Sequence, residues 1–164
     1  MSMYFHLRAV PPSALRNSAT WFQRLFEDDW DTVRERIGRH REEVLDKLYG
    51  EVELLYSGIP PNHAPEGPRT RVVLGGRPVF HTHSSLPPFL VLTASQVAGV
   101  ADYLKAADFD DLWRHARVQL LRPYGAPDAE PEMRGLYAAT HRDLTAFYAQ
   151  TADYGDAVVK WLMS

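Results

Sequence analysis

A chain of 164 residues, 45% hydrophobic and 24% charged, has the composition of a folded globular protein and is long enough to bury roughly two thirds of the surface its unfolded form exposes. Its formal net charge of -3 provides no overall basic field for a phosphate backbone, so nucleic acid is not an expected partner. The absence of cysteine excludes a disulfide framework, a thiolate metal site and a cysteine nucleophile; no stretch approaches about 18 apolar residues and the opening MSMYFHLRAV lacks a secretory pattern, so no membrane association and a cytoplasmic location are expected.

Phe5 and Leu7 alternate with His6 and Arg8, the pattern of a strand with one apolar face. Pro11 and Pro12 end it, and Pro12 suits the first turn of a helix carrying Leu15, Trp21, Phe22, Leu25 and Phe26, which Asp28, Asp29 and Asp31 interrupt. Over residues 31–57 the spacing predicts one helix, kinked near Gly38. At about 100° per residue, Ile37, Val44, Leu45, Val52 and Leu55 fall within roughly 60° of Leu48 and form one apolar stripe. Glu43, Lys47 and Glu51 then line one flank as solvated ion pairs. Glu42, Asp46, Tyr49 and Glu53 line the other flank and the back as an acidic ridge beside an aromatic ring.

Residues 58–68 hold four prolines, two glycines and His63 without periodicity, which makes them a loop. Val72, Val73 and Leu74, then Gly75 and Gly76, then Arg77 to Phe80, read as a two-residue hairpin, because paired glycines accept the positive φ of a type I′ turn. Pro78 has no N–H for a ladder, so that arm is an edge. Thr93 and Gln96 spell a capping box that opens a helix through Val97, Val100 and Leu104. Asp108 caps another through Leu112, Trp113, Ala116 and Leu120. Met133, Leu136, Tyr137, Leu144, Phe147 and Tyr148 recur at helical spacing. After Gly155 and Asp156, Val158, Val159 and Trp161 favour a terminal strand able to pair with the first. The expected fold class is α+β: a single compact domain over residues 1–164, mainly helical, with a small sheet including the N-terminal strand, a central Gly-Gly hairpin and the C-terminal strand.

Several of these features occur together in a known group. Asp46 and Lys47 with the aromatic Tyr49 and a helix-ending Gly58, the paired Gly75 and Gly76, Pro88 ahead of the Leu92 and Thr93 helix start, and the ending Phe147, Tyr148, Gly155 and residues 157–162 together resemble the YfbM-like family of uncharacterised bacterial proteins. The resemblance runs from the first strand to the last and implies a compact α+β fold. It implies no activity. Many relatives resemble DKAWHGLHYLLTG over the block that here reads DKLYGEVELLYSG. Tyr49 thus replaces the tryptophan, and Gly50 and Glu53 replace two histidines, so any chemistry those histidines serve in relatives is lost here.

Chemistry-bearing residues are few. His81 and His83 form an H-x-H pair that on a strand can aim two imidazoles at one metal, with His63 and Glu66 in the preceding loop as further ligands. Two histidines in a solvated turn is the plainer reading, so no metal is favoured and His81, His83 and His63 stand only as candidates. The ridge of Glu42, Asp46, Tyr49 and Glu53 can supply an acid–base carboxylate pair, although such a ridge is more often the wet face of its helix. His141 and His115 read as hydrogen-bonded core residues. No G-x-S-x-G elbow, P-loop or G-x-G-x-x-G occurs. Arg69, Arg71 and Arg77 surround the expected hairpin, where they either grip a phosphate or carboxylate or charge the edge against aggregation.

The resulting reading is a small cytoplasmic binding or interaction domain, without a cofactor, for a protein or small-molecule partner. Asp46, Tyr49, Arg69, Arg71 and Arg77 form its recognition surface, and an inhibitor- or immunity-like role suits a small acidic domain through charge complementarity. The alternative is a metal-assisted hydrolase or lyase built on His81 and His83.

Overall fold

The computed structural model describes residues 3–83, 85–125 and 127–164. Strand β1 (Tyr4–Val10) pairs antiparallel with β2 (Glu42–Leu45) on one side and with β5 (Ala157–Met163) on the other. Strand β4 (Phe89–Leu92) continues from β5, and β3 (Arg77–Val79) closes the far edge, giving the order β2-β1-β5-β4-β3. The first and last strands therefore pair at the centre of the sheet, as their alternation predicts, and Pro78 lies on an edge strand.

Side chains alternate across the sheet and give it two apolar faces. Phe5, Leu7, Leu92 and Val158 face α3 (Tyr49–Ser57), α5 (Ala94–Ala106), α6 (Phe109–Leu121) and α7 (Glu130–Asp153). Val10, Phe89, Val91, Val159 and Trp161 face α1 (Ala19–Glu27) and α2 (Trp30–Ile37). The fold is α+β, with helices on both faces of an antiparallel sheet. Among the described residues no helix is long and apolar enough to cross a membrane.

Local signals set most helix starts. The carboxylate of Asp29 accepts the Thr32 N–H at 3.2 Å. Thr93 and Gln96 form the reciprocal capping box at 3.0 and 3.2 Å, and Asp108 accepts the Asp110 N–H at 3.0 Å. The helix expected from Pro12 is divided into a short 3-10 turn, Pro12–Arg16, and α1, whose N-cap is Ser18. Ser18 restarts the helix by accepting the Trp21 N–H at 3.3 Å.

Two expectations are overturned. Residues 31–57 are not one helix: α2 ends at the left-handed Gly38, Glu42–Leu45 is strand β2, and α3 begins only at Tyr49. A four-residue strand is too short to display its period of two, and what places it is pairing, with Arg8 opposite Glu42 and Phe5 opposite Leu45. Nor do Gly75 and Gly76 form a two-residue hairpin. Residues before them form the short helix α4 (Pro68–Arg71) and an irregular segment, while β3 pairs forward with β4, Arg77 opposite Val91. Glycine is needed at position 75 for close approach instead, since a Cβ there would lie 2.0 Å from the Thr70 carbonyl oxygen.

A buried cation holds that irregular segment. On the helix-rich face β5 carries Val158, Lys160 and Leu162, so a lysine occupies a position with no exposure at all. Its Nζ donates to the carbonyls of Arg71 (2.6 Å), Val73 (2.8 Å) and Gly75 (2.9 Å), which uses all three donors of an ammonium. The Tyr148 hydroxyl donates to the Val72 carbonyl at 2.6 Å, and Glu53 accepts the Leu74 N–H at 2.9 Å. Burial pushes the Lys160 pKa down from 10.5 to about 7, with the Glu53 carboxylate opposing that shift.

Replacing Lys160 by Met leaves three carbonyls without donors and is expected to cost about 3 kcal/mol or more, measured by urea unfolding. The unfolded lysine titrates near 10.5 and the folded one near 7, so between these values the unfolded chain holds more protons and stability rises with pH. The wild type should therefore gain stability between about pH 7 and 9, a gain that Lys160→Met should lack. Equal slopes in the two proteins would assign the pH dependence to other groups.

Candidate functional site

Helix α3 ends at Gly58, whose φ of 88° and closeness to Asn62 admit no side chain, a Cβ there lying 2.6 Å from the Asn62 carbonyl oxygen. The turn it makes leaves a cleft of about 460 Å³ between α3, the C-terminal end of α5 and the first half of α6, within the range of small-molecule sites. Leu54, Leu55, Ile59, Leu112 and Ala116 supply its apolar lining, and Asn62, Arg69, Tyr103, Asp108, Asp111 and His115 its polar groups.

Each polar group is held by its own element. Arg69 on α4 donates from Nε to the Tyr56 carbonyl at 2.9 Å. Tyr103 on α5 sets its ring edge against Tyr56, with centroids 6.3 Å apart. Its hydroxyl is buried and has no hydrogen-bond partner among the described residues. Burial raises its pKa, and the Arg69 guanidinium beside it partly offsets the rise. On α6, Asp111 pairs with Arg114 at 2.5 Å. The His115 Nδ1 lies 2.7 Å from the Asp111 carbonyl, to which it can only donate. The cleft thus offers a guanidinium and a phenol together with carboxylates and an imidazole, over an apolar lining.

The five residues expected to form one recognition surface are dispersed. Only Arg69 enters this cleft. Asp46 lies in the turn between β2 and α3, where it accepts the Leu48 N–H at 2.9 Å and lines a second, smaller cleft. Tyr49 stacks on Phe5 with centroids 5.6 Å apart. The Arg71 guanidinium reaches Glu66 at 3.5 Å. Arg77 is exposed on β3, at the edge of the sheet opposite to β2 and hence to Asp46. The acidic ridge is also dissolved. Glu42 binds Arg8 and approaches His6, and although burial alone would raise its carboxyl pKa, those two neighbours hold it below the usual value. Glu53 turns inward to Leu74 and Ser57.

The histidine pair follows a different logic from the one its spacing suggests. His81 is buried, accepts the His83 N–H on Nδ1 at 2.9 Å, and has Nε2 2.8 Å from Gln23 Oε1, so both ring nitrogens are engaged. Its ring lies parallel to Trp161 at 6.2 Å. His83 and His63 are exposed, and no three of the described His, Asp and Glu side chains are placed to hold a metal ion. His141 is half-buried with Nδ1 2.8 Å from the Tyr56 hydroxyl, and burial lowers its pKa. His115, expected in the core, is instead exposed on the cleft wall.

Tyr103 and Asp111 escape a reading by pattern. Tyr103 flanks the Val100 and Leu104 stripe, and Asp111 looks like one more acid in the first turn of a capped helix, so only the approach of α3 gives either a site.

The model of a family described as a domain of unknown function, DUF1877, matches residues 1–161. Among solved structures, YfbM of Escherichia coli, titled a protein of unknown function, aligns with a TM-score of 0.62 over 99% of this chain and 100% of its own, at 15% identity. Likeness at that identity shows a shared fold and nothing of activity. No curated protein matches the chain.

Replacing Tyr103 by Phe removes the unpaired hydroxyl while keeping the ring against Tyr56. Thermal denaturation should show a melting temperature unchanged or a few degrees higher. A fall of more than about 4 °C would mean that the hydroxyl has a stabilising partner in the free protein.

Proposed function

The chain belongs to the DUF1877 family of domains of unknown function, and from that premise we propose that it is a cytoplasmic binding domain whose cleft between α3, α5 and α6 receives a small amphipathic carboxylate, free or at the end of a protein side chain. The observation that carries this reading is the buried Tyr103 hydroxyl, which the Arg69 guanidinium approaches without completing a hydrogen bond. The Tyr103 hydroxyl and the guanidinium nitrogens of Arg69 that are not bonded to the Tyr56 carbonyl can donate together to an anion. Leu54, Ile59 and Leu112 take up the apolar body of the ligand, and Asp108 and Asp111 favour a ligand that also carries a donor. Binding without catalysis is the role proposed, and no cofactor is required for it. A chain without cysteine loses nothing in a reducing compartment.

The test is a nuclear magnetic resonance titration of the labelled protein with acetate, butyrate and phenylacetate. Amide shifts are expected at residues 54–59, 69, 103 and 111–116, strengthening with the size of the apolar group. Arg69→Ala should weaken phenylacetate binding about tenfold, a loss near 1.4 kcal/mol, while Arg77→Ala should bind as the wild type does. Shifts outside these residues, or binding indifferent to Arg69→Ala, would remove the basis of the proposal.

A further inference from the structure

The second cleft, about 180 Å³, lies between β2, the turn that follows it and α7. Glu43, Asp46 and Asp143 bring three carboxylates to it, and Val44, Leu48 and Leu136 line it with apolar surface. Two of the carboxylates are oriented by a hydrogen bond through one oxygen, and the third is exposed. Glu43 Oε1 accepts the Val44 N–H at 3.3 Å, Asp46 Oδ1 accepts the Leu48 N–H at 2.9 Å, and Asp143 Oδ1 lies 3.6 Å from Arg142 Nε on the exposed side. Among the described residues the second oxygen of each takes no hydrogen bond.

Tyr137 is an independent sign that the cleft is built for a ligand. This residue of α7 lines the cleft and is only 2% exposed, yet its hydroxyl has no partner among the described residues. Burial raises its pKa, and the negative charges of Glu51 and Asp46 act in the same direction. The Glu43 carboxyl is likewise raised, first by burial and then by Asp143 and Glu42, despite the bond from Val44. A cluster of like charges around an orphaned hydroxyl is relieved by a cation that carries hydrogen-bond donors.

We propose that this cleft binds a primary alkylammonium group, as carried by a lysine side chain or by a small free amine. An ammonium can share its three donors among a carboxylate oxygen, the Tyr137 hydroxyl oxygen and water, and its stem has Leu136 and Val44, 50% and 39% exposed, to lie against. A bare metal ion fits less well, because no three of the described acidic and histidine side chains converge closely enough to ligate one. This site shares no lining residue with the cleft of Arg69 and Tyr103, so the two proposals stand or fall separately.

The experiment is a titration of the full chain, followed by amide shifts, with n-butylamine, with the peptide acetyl-Gly-Lys-Gly-amide, with tetramethylammonium and with magnesium. Butylammonium should shift residues 43–48 and 136–143 and bind at least tenfold more weakly to Asp143→Asn and to Glu43→Gln, with Glu66→Gln unchanged. Tyr137→Phe, which is nearly isosteric and keeps the ring in place, should also weaken it several-fold. Tighter binding of the peptide, with shifts extending along the adjoining groove to Arg41, Ala146 and Gln150, would assign the ammonium to a protein lysine; equal binding would assign it to a free amine. Tetramethylammonium or magnesium producing the same shifts at the same concentration would reduce the site to a diffuse acidic patch and overturn the proposal, as would the absence of shifts at these residues.

Discussion

The ammonium of Lys160 is the constraint on which the helix-rich half of the molecule depends. Residues 72–75 have neither helix nor ladder to pair their backbone, Arg71 is the last residue of α4, and an unpaired carbonyl in an apolar interior is costly. One side chain from the central strand β5 answers three of those carbonyls at 2.6 to 2.9 Å. Glu53 and Tyr148 add bonds from α3 and α7, so three separate elements converge on the same five residues. Arg69 sits on α4 directly before this segment. The clamp that satisfies the backbone therefore also places the guanidinium that faces the large cleft.

A second set of buried charges organises the opposite face of the sheet and the end of the sheet where β5 begins. Arg8 binds Glu42 and the Leu25 carbonyl, and its guanidinium lies 4.9 Å from the Phe26 ring and 4.3 Å from the Trp30 ring. Asp156, wholly buried, receives Arg39 at 2.7 Å and Arg41 at 2.5 Å. Such clusters add little net stability over apolar packing, but removing one member strands the others. They tie α1, α2 and the chain leading into β2 to the two central strands, and they hold β2 where its other face borders α7.

The two clefts share a chemical signature: each sets a phenol that has no hydrogen-bond partner among the described residues beside charged groups. Folded proteins seldom leave a buried polar side chain unpaired. Tyr103 and Tyr137 do so, and each lines a cleft with charged groups. The remaining unpaired atoms, on His6, Arg41 and Asp156, belong to the charge clusters around Glu42 and Asp156. The polarity of the two clefts differs: one offers a guanidinium and a phenol with carboxylates at a distance along α6, the other presents carboxylates and a phenol. An anion suits the first and a cation the second.

Residues that act through neighbours in sequence were legible directly. The alternation of Phe5 and Leu7, the capping box of Thr93 and Gln96, the Asp108 cap and the stripe from Met133 to Tyr148 each report a local rule. Strand β2 was unreadable because its apolar residues fit a helical spacing equally well, and only the pairing of Glu42 with Arg8 across the sheet distinguishes the two. Gly75 and Gly76 announced a need for glycine without stating its cause, which is contact with the Thr70 carbonyl at Gly75 and a φ of 137° at Gly76. The candidate residues suffered most. Asp46 and Arg69 are both in clefts, but in different ones, and Tyr103, Glu43, Tyr137 and Asp143 carry no motif. The sequence by itself determined the elements, their caps and the α+β class, since these follow from periodicity and short-range hydrogen bonding; tertiary structure alone decided which polar groups meet, because a cleft is formed by surfaces that chain neighbours do not share.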